Sequence, residues 1–167
     1  MCYSFADRSY SGDESRSYYI YNRSDDVVQD ILNYNLSYSS FSPDDNGDLM
    51  CIWLNNPLCA SEYVGDYPII TEQDATKLLL TGNYYSSVPK EYIRNGAINS
   101  GDIAKTELVY RDAKDEYYQP YYKYYIELDT TAFNVSDGLK NYGIFYVPAI
   151  SSDHLDDFNP SALYKWN

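Results

Sequence analysis

A run of tyrosines in the second half of the chain constrains the fold most strongly. Tyrosine accounts for 22 of the 167 residues, and six of these tyrosines lie within residues 117–125. Aromatic residues favour β-strands, in which successive side chains point to opposite faces. The run therefore predicts a strand over residues 117–128. Its core face would carry Tyr118, Tyr122, Tyr124, Ile126 and Leu128.

The opposite face of this strand mixes aromatic rings with charged and amide side chains. Rigid aromatic side chains lose little conformational entropy on contact and often dominate binding energy. We therefore predict an exposed tyrosine strip that binds a partner. Gln119 and Lys123, which lie between the tyrosines, would orient the partner through polar contacts. The alternative, in which the tyrosines fill a small sheet core and its rim, stays open. The predicted binding residues are Tyr117, Gln119, Tyr121, Lys123 and Tyr125.

A helix followed by strands is predicted around the tyrosine run. Thr71 suits a helix N-cap, with Asp74 three residues later, and Gly82 is placed to end the helix. Strands are predicted over residues 103–111 and 142–150, one on each side of the tyrosine strand in sequence. A helix with one apolar stripe packs on one face of an antiparallel sheet. The stripe comprises Ala75, Leu78 and Leu79.

The first half predicts a smaller strand–helix–strand unit. Residues 16–22 favour a strand, and Ser24 is a candidate N-cap for a helix with apolar residues at helical spacing. Residues 42–48 predict a turn. The continuous apolar run over residues 49–54 predicts a buried strand. The helical stripe comprises Val27, Val28, Ile31 and Leu32.

Together these elements predict an α+β fold: an antiparallel sheet with short helices packed on one face. The C-terminal half would be helix–strand–strand–strand, and the N-terminal half strand–helix–strand. We predict a flexible tether over residues 1–15 and a single domain over residues 16–167. A division into two subdomains, 16–66 and 67–167, is the alternative.

The charge of the chain and the absence of chemical motifs exclude several functions. The chain has 25 acidic and 12 basic residues and a net charge of -13, so it would repel the phosphates of a nucleic acid. It contains no dinucleotide-binding, phosphate-loop or nucleophile-elbow motif. Its one histidine, His154, lies in an acidic tail and has no evident metal-binding partners. We therefore predict a protein that is not an enzyme and binds no metal or cofactor.

The cysteines leave two questions open. Cys51 and Cys59 flank a turn-like sequence, so a disulfide between them and two free buried thiols are both consistent with the spacing. Cys2 precedes a polar stretch and is a candidate for lipid attachment. In that case the protein would be attached to a membrane at its periphery. The sequence has no apolar stretch long enough to span a bilayer and no recognisable signal peptide.

Four segments of the chain resemble segments of known proteins. They are ITEQDATKLLLTG, IAKTELVYR, YYQPYYKYYIEL and YGIFYVPAI. Their order is similar to that of PepSY-like domains and of membrane-associated regulators of envelope sensor kinases. Tyr146, Val147 and Pro148 match the strand ending of those proteins. PYYKYYIEL resembles a segment of lipoproteins from gut Firmicutes. The resemblance covers residues 69–150.

The resemblance implies an extracytoplasmic protein at the surface or membrane of a Gram-positive bacterium, with no catalytic residues. We predict a binding or regulatory domain that recognises an envelope protein through its tyrosine-rich sheet face. The same face could form a homodimer. The alternative is a module that binds a glycan or peptide in a tyrosine-lined groove.

Overall fold

The structure, a computed structural model, confirms the α+β class. The chain forms two compact units, Met1–Val64 (the N-terminal unit) and Gly65–Asn167 (the C-terminal unit). The described residues of each unit form one antiparallel sheet and one α-helix. No helix among the described residues is both long and apolar enough to cross a membrane. The described residues are 1–8, 14–56, 61–113, 117–129 and 140–154.

The N-terminal unit is a four-stranded sheet with the strand order β1-β2-β3-β4. Successive strands are neighbours and run antiparallel, so β1 and β4 are the two edges. The predicted turn over residues 42–48 joins β3 to β4, where the Asp44 backbone N–H donates to the Asp48 carbonyl over 2.8 Å. The elements are β1 (Cys2–Arg8), β2 (Glu14–Tyr21), α1 (Val27–Leu36), β3 (Tyr38–Pro43) and β4 (Leu49–Asn55).

Strand β1 corrects the predicted tether for residues 2–8. These residues pair with β2 from Cys2 opposite Ile20 to Arg8 opposite Glu14. The Tyr3 ring stacks on the Tyr19 ring, with 5.1 Å between ring centres. An aromatic cross-strand pair of this kind stabilises a sheet, and the tether prediction overlooked it.

Helix α1 begins later than predicted. Asp26, not Ser24, is the N-cap, because its carboxylate accepts a hydrogen bond from the Gln29 backbone N–H over 2.7 Å. Val27 and Val28, half of the predicted apolar stripe, are exposed. Tyr34 instead contacts the strand tyrosines and lies 5.3 Å from Tyr3, measured between ring centres. The helix has no buried residue.

Strand β4 forms where the sequence predicts it, but it is exposed rather than buried. Among the described strands, β3 alone pairs with it, and every residue of the strand before Asn55 is exposed. The apolar run predicted the strand correctly. It failed to predict burial because no described element lies along the outer edge of β4.

The C-terminal unit is a three-stranded antiparallel sheet with the strand order β5-β6-β7 and the tyrosine strand at its centre. The predicted helix and the three predicted strands are all present. Short 3-10 turns cover Lys90–Tyr92, Arg94–Gly96, Ser100–Asp102 and Ser152–His154. The main elements are α2 (Glu72–Leu80), β5 (Ile103–Ala113), β6 (Tyr117–Glu127) and β7 (Tyr142–Pro148).

Helix α2 covers one face of this sheet, as the sequence predicts. Thr71 caps it by accepting a hydrogen bond from the Asp74 backbone N–H over 3.2 Å. Gly82 follows the helix with φ +86°, a conformation that favours glycine. The predicted core face of β6 is buried under the helix, apart from the half-buried Tyr118. The core includes Ala75, Leu79, Tyr122, Tyr124, Ile126, Leu128, Phe145 and Val147.

The outer edge of β7 is paired with a loop segment. Tyr85 and Tyr146 exchange two backbone hydrogen bonds of 2.8 Å each. The Ser86 hydroxyl donates to the Ile144 carbonyl over 2.7 Å. This segment closes one edge of the sheet and also brings the Tyr85 ring to the face that α2 leaves uncovered.

Candidate functional site

The predicted binding residues lie on the side of the C-terminal sheet that faces away from α2. Strand register places three cross-strand rows on this side. Residues directly opposite each other in a sheet share a face. We call this surface the tyrosine face. Its rows are Lys105–Tyr125–Ile144, Glu107–Lys123–Tyr146 and Val109–Tyr121–Pro148, with Arg111 and Gln119 beside the last.

Tyr121 corrects the prediction of an exposed strip. Its side chain is only 6% exposed and packs with Val109 and Tyr85 in a second, smaller core. The ring centres of Tyr85 and Tyr146 each lie 6.3 Å from that of Tyr121. Strand alternation cannot predict this burial, because Tyr85 comes from a segment distant in sequence. The tyrosine at the centre of the face is therefore structural.

The other four predicted residues have different surroundings. Gln119, Lys123 and Tyr125 are half-buried. The Tyr125 hydroxyl donates a hydrogen bond to the Glu107 carboxylate over 3.0 Å. The side chain of Tyr117 lies outside the described part of the structure. Three of the five predicted residues thus remain on an accessible face.

Two cations from β5, which are not among the predicted binding residues, complete the face. The Arg111 guanidinium carbon lies 4.1 Å from the centre of the Tyr146 ring and 5.7 Å from that of Tyr121. The Lys105 amine lies 5.5 Å from the centre of the Tyr125 ring. Both cations lie on one face of the predicted strand, because an even number of positions separates them. Pairing that strand with β6 would place them on the same sheet face as the predicted binding residues.

Lys123 brings a third cation to the same surface. Its amine lies 4.7 Å from the centre of the Tyr125 ring, and Lys123 lies on the neighbouring strand β6, directly opposite Glu107. Burial lowers the pKa of Lys123, the nearby Lys105 and Arg111 lower it further, and only Glu107 opposes them. Lys123 is therefore a partly desolvated cation beside like charges, and a nearby anion would stabilise its charged form.

Glu107 is the acid within this group. Burial alone would raise its pKa, but hydrogen bonds from Lys105 and Tyr125 outweigh that effect, and the pKa of Glu107 is lowered. It forms an ion pair with Lys105. Counting described side chains, one carboxylate thus lies among three cations on this face of an acidic chain.

Two tyrosines at this face, Tyr85 and Tyr146, have a raised pKa. Burial, with a smaller contribution from Tyr121, raises the pKa of Tyr85 to about 12. Burial also raises the pKa of Tyr146, although Arg111 opposes the shift. Such phenols stay neutral at ordinary pH and act as hydrogen-bond donors and stacking surfaces, not as nucleophiles or bases.

Other features predicted from the sequence lie apart from this face. His154 is exposed in the last 3-10 turn. Among the described residues, no three His, Cys, Asp or Glu side chains lie close enough together to hold a metal ion.

Two open hollows of the described surface contain no tyrosine. They are lined by Arg23, Ser24, Asp25, Val27, Asp30 and Ile31, and by Thr71, Glu72, Gln73 and Thr76.

Two of the cysteines are described. Cys51 is an exposed free cysteine on β4, and its candidate disulfide partner Cys59 lies outside the described residues. A bridge between them therefore stays a prediction. Cys2 is exposed at the start of β1, and lipid attachment there also stays a prediction.

Comparisons of the chain with protein-family models, with curated proteins and with solved structures give no match. The resemblance to PepSY-like domains therefore rests on the sequence segments alone. The functional interpretation rests on the geometry of the tyrosine face.

Proposed function

We propose that this chain is a non-enzymatic binding protein whose tyrosine face recognises an acidic surface of an envelope protein. The observation that carries the proposal is the group of three cations held beside tyrosine rings on one sheet face. These cations are Lys105, Arg111 and Lys123. A net charge of -13 makes such a local group distinctive.

The arrangement suits recognition because its cations are partly held in place before a partner arrives. A cation over an aromatic ring is attracted to the ring, by about 0.5–1 kcal/mol at exposed sites. A side chain held in this way loses less conformational freedom on binding than a free one. Arg111 presents a planar fork of donors that matches a carboxylate, whereas Lys123 presents a point charge. Acidic side chains on a protein partner fit both.

The extracytoplasmic setting of this proposal rests on the resemblance to PepSY-like domains and lipoproteins. A lipid on Cys2 would attach the protein to the membrane. A regulatory role is part of the same proposal, because such a domain would regulate an envelope protein by binding it.

A protein partner fits the face better than a glycan or peptide in a groove. A groove would need two or more tyrosine rings lining a concave site, and neither hollow described above contains one. Tyr121, which would be central to a stacking site, is buried. Binding of a glycan or peptide is therefore the alternative outcome of the experiment.

The test is crosslinking of the full chain in cells, comparing Lys123→Glu with Lys90→Glu. Both variants make the same charge change, but Lys90 is exposed in a 3-10 turn outside the tyrosine face. We expect Lys123→Glu to reduce capture of one envelope protein by about tenfold, a loss typical of a contacted charge pair. Lys90→Glu should leave capture unchanged.

A binding assay with purified protein distinguishes the classes of partner. Poly-glutamate should bind the natural chain in a salt-sensitive manner and bind Lys123→Glu more weakly. Equal capture by both variants in cells, or binding of neutral glycans that ignores Lys123, would overturn the proposal.

A further inference from the structure

No described strand or loop pairs with the backbone groups on the outer edge of β4. The strand order makes β4 an edge, and its one described neighbour is β3. By contrast, the outer edge of β7 in the other sheet is paired with the segment around Tyr85. An unpaired edge strand is a template on which another extended chain can add.

This edge carries exposed apolar side chains on both faces of the sheet. Register places Trp53 on the face that α1 occupies and Leu54 on the opposite face. Trp53 is 63% exposed and Leu54 is 76% exposed. Large apolar side chains in such a contiguous patch mark an interaction surface. Exposed neighbours in the same strand are Leu49, Met50 and Ile52.

Strand β4 also lacks the usual protection of an edge. Natural sheets guard their edges with charged residues, proline or bulges. Residues 49–55 contain no charged residue and no proline. The one irregularity lies at the start of the strand, where the register shifts between Ser42 and Pro43 of β3. The rest of the strand is regular in register, uncharged and exposed as far as Leu54.

We propose that a second copy of this chain pairs with β4, antiparallel and about a two-fold axis at Ile52. In this register Met50 lies opposite Leu54 of the other copy, and Cys51 lies opposite Trp53. The two four-stranded sheets would join into one continuous sheet. This surface is separate from the tyrosine face, so the proposal is independent of the proposed function.

Charge argues for a second copy as the occupant. Residues 1–64 contain 10 acidic and 3 basic residues, so most surfaces of this unit would repel their own copy. Strand β4 avoids that repulsion because it has no charge. Asp48, the acid just before the strand, falls opposite the neutral Asn56 in the proposed register. Like charges directly opposite each other would destabilise the pair, and this register places none there.

The apolar patch continues beyond the edge and adds to the same interface. Ile20 and Tyr18 share a face with Leu54 and Ile52, across β3. Tyr18 and Ile20 are exposed, and Phe41 between Tyr18 and Ile52 is half-buried. Joining two copies at β4 would bring both patches onto one face of the continuous sheet. An isologous contact of this kind closes with two copies.

The first experiment measures the mass of the full chain in solution over a dilution series. We expect a dimer, and we expect Ile52→Lys to raise its dissociation constant about tenfold or more, because it sets two like charges on the two-fold axis. The matched control is Val27→Lys. It makes the same kind of change at an exposed position on α1 and should leave the dimer intact.

The second experiment tests the register. In a chain whose three cysteines are replaced by serine, Ile52→Cys should form a disulfide between copies on mild oxidation. Leu49→Cys in the same background should not, because it faces Asn55 of the other copy. A folded chain that is monomeric up to about 100 μM, well above the dissociation constants of stable interfaces, would overturn the proposal. A dimer that Ile52→Lys leaves unchanged would also overturn it.

Discussion

The two units contain similar elements but bury them very differently. In the part of each unit that the structure describes there is one antiparallel sheet and one capped α-helix, and both units are rich in tyrosine. In the C-terminal unit, Ala75, Phe145 and Val147 are completely buried. Among the described residues of the N-terminal unit, Tyr21 alone is buried, with 8% of its surface exposed. Secondary structure therefore does not by itself make a core.

The helices show where the difference arises. They are equally amphipathic in sequence, yet α1 has no buried residue while α2 buries Ala75 and Leu79. Ala75 is small and lets α2 approach the sheet closely, so that Leu79 reaches Phe145 and its neighbours. Helix α1 meets its sheet through the ring of Tyr34. An apolar stripe permits burial, but close approach to the sheet produces it.

The largest expected difference is between two phenylalanines. Phe145→Ala should lower the free energy of unfolding by about 3–5 kcal/mol, because the residue is completely buried. Phe41→Ala, at a half-buried position in β3, should cost about 1 kcal/mol. Chemical denaturation of the full chain, with hydrogen exchange reporting each unit, measures both. Equal losses would break the comparison between the units.

The helices should differ next. Leu79→Ala should cost about 2–4 kcal/mol through the cavity that it leaves. Val28→Ala in α1 removes a residue that is 49% exposed and should change stability by less than about 0.5 kcal/mol. Thermal unfolding followed by circular dichroism provides the measurement. A loss for Val28→Ala as large as that for Leu79→Ala would mean that α1 packs as tightly as α2.

Removing the N-cap side chain of the helix should lower the stability of the protein by a similar amount in the two units. Thr71→Ala and Asp26→Ala each remove a side chain that accepts a backbone N–H at a helix start. Each should cost about 1 kcal/mol, since capping depends on local geometry and not on the core. Denaturation curves of the two variants test this. Unequal costs would show that tertiary packing determines the value of the cap.

The smallest expected effect concerns pH and Glu107. Its pKa is lower in the folded protein than its ordinary value, so its ionised form stabilises the fold. That contribution is fully present above the ordinary pKa of glutamate and is lost as the pH falls through the folded pKa. Stability of Glu107→Gln should therefore vary less with pH in the acidic range. The corresponding carboxylate in the N-terminal unit is that of Asp44. Its pKa is also lowered, and the largest cause is the hydrogen bond that it accepts from the Asp48 backbone N–H.

Salt distinguishes these two carboxylates. Lys105 donates to Glu107, so added salt should weaken the contribution of Glu107. Backbone N–H groups donate to Asp44, and its contribution should persist. Unfolding measured across acidic pH at low and high salt, with Glu107→Gln and Asp44→Asn, checks both. A salt-insensitive contribution from Glu107 would contradict the ion pair.

Local pattern predicted the elements well where neighbours in sequence supply the interactions. Thr71 and Asp74 lie within one turn, so the start of α2 could be predicted from the sequence. Alternation along β6 correctly assigned Tyr122 and Tyr124 to the core face. The same pattern misassigned Tyr121, because it cannot show what lies above a strand. It missed Arg111 for a different reason: Arg111 lies on the neighbouring strand, and strand pairing, not the alternation within β6, brings it to the face.

The sequence by itself determined the α+β class, both helices and most strands, because backbone preference and side-chain alternation depend on residues close together in the chain. The tertiary structure decided which of those elements are covered. Tyr121 is buried because Tyr85 arrives from another segment, and β4 is exposed because no described segment lies along its edge. Burial depends on contacts between segments distant in sequence, and periodicity within one segment carries no information about them.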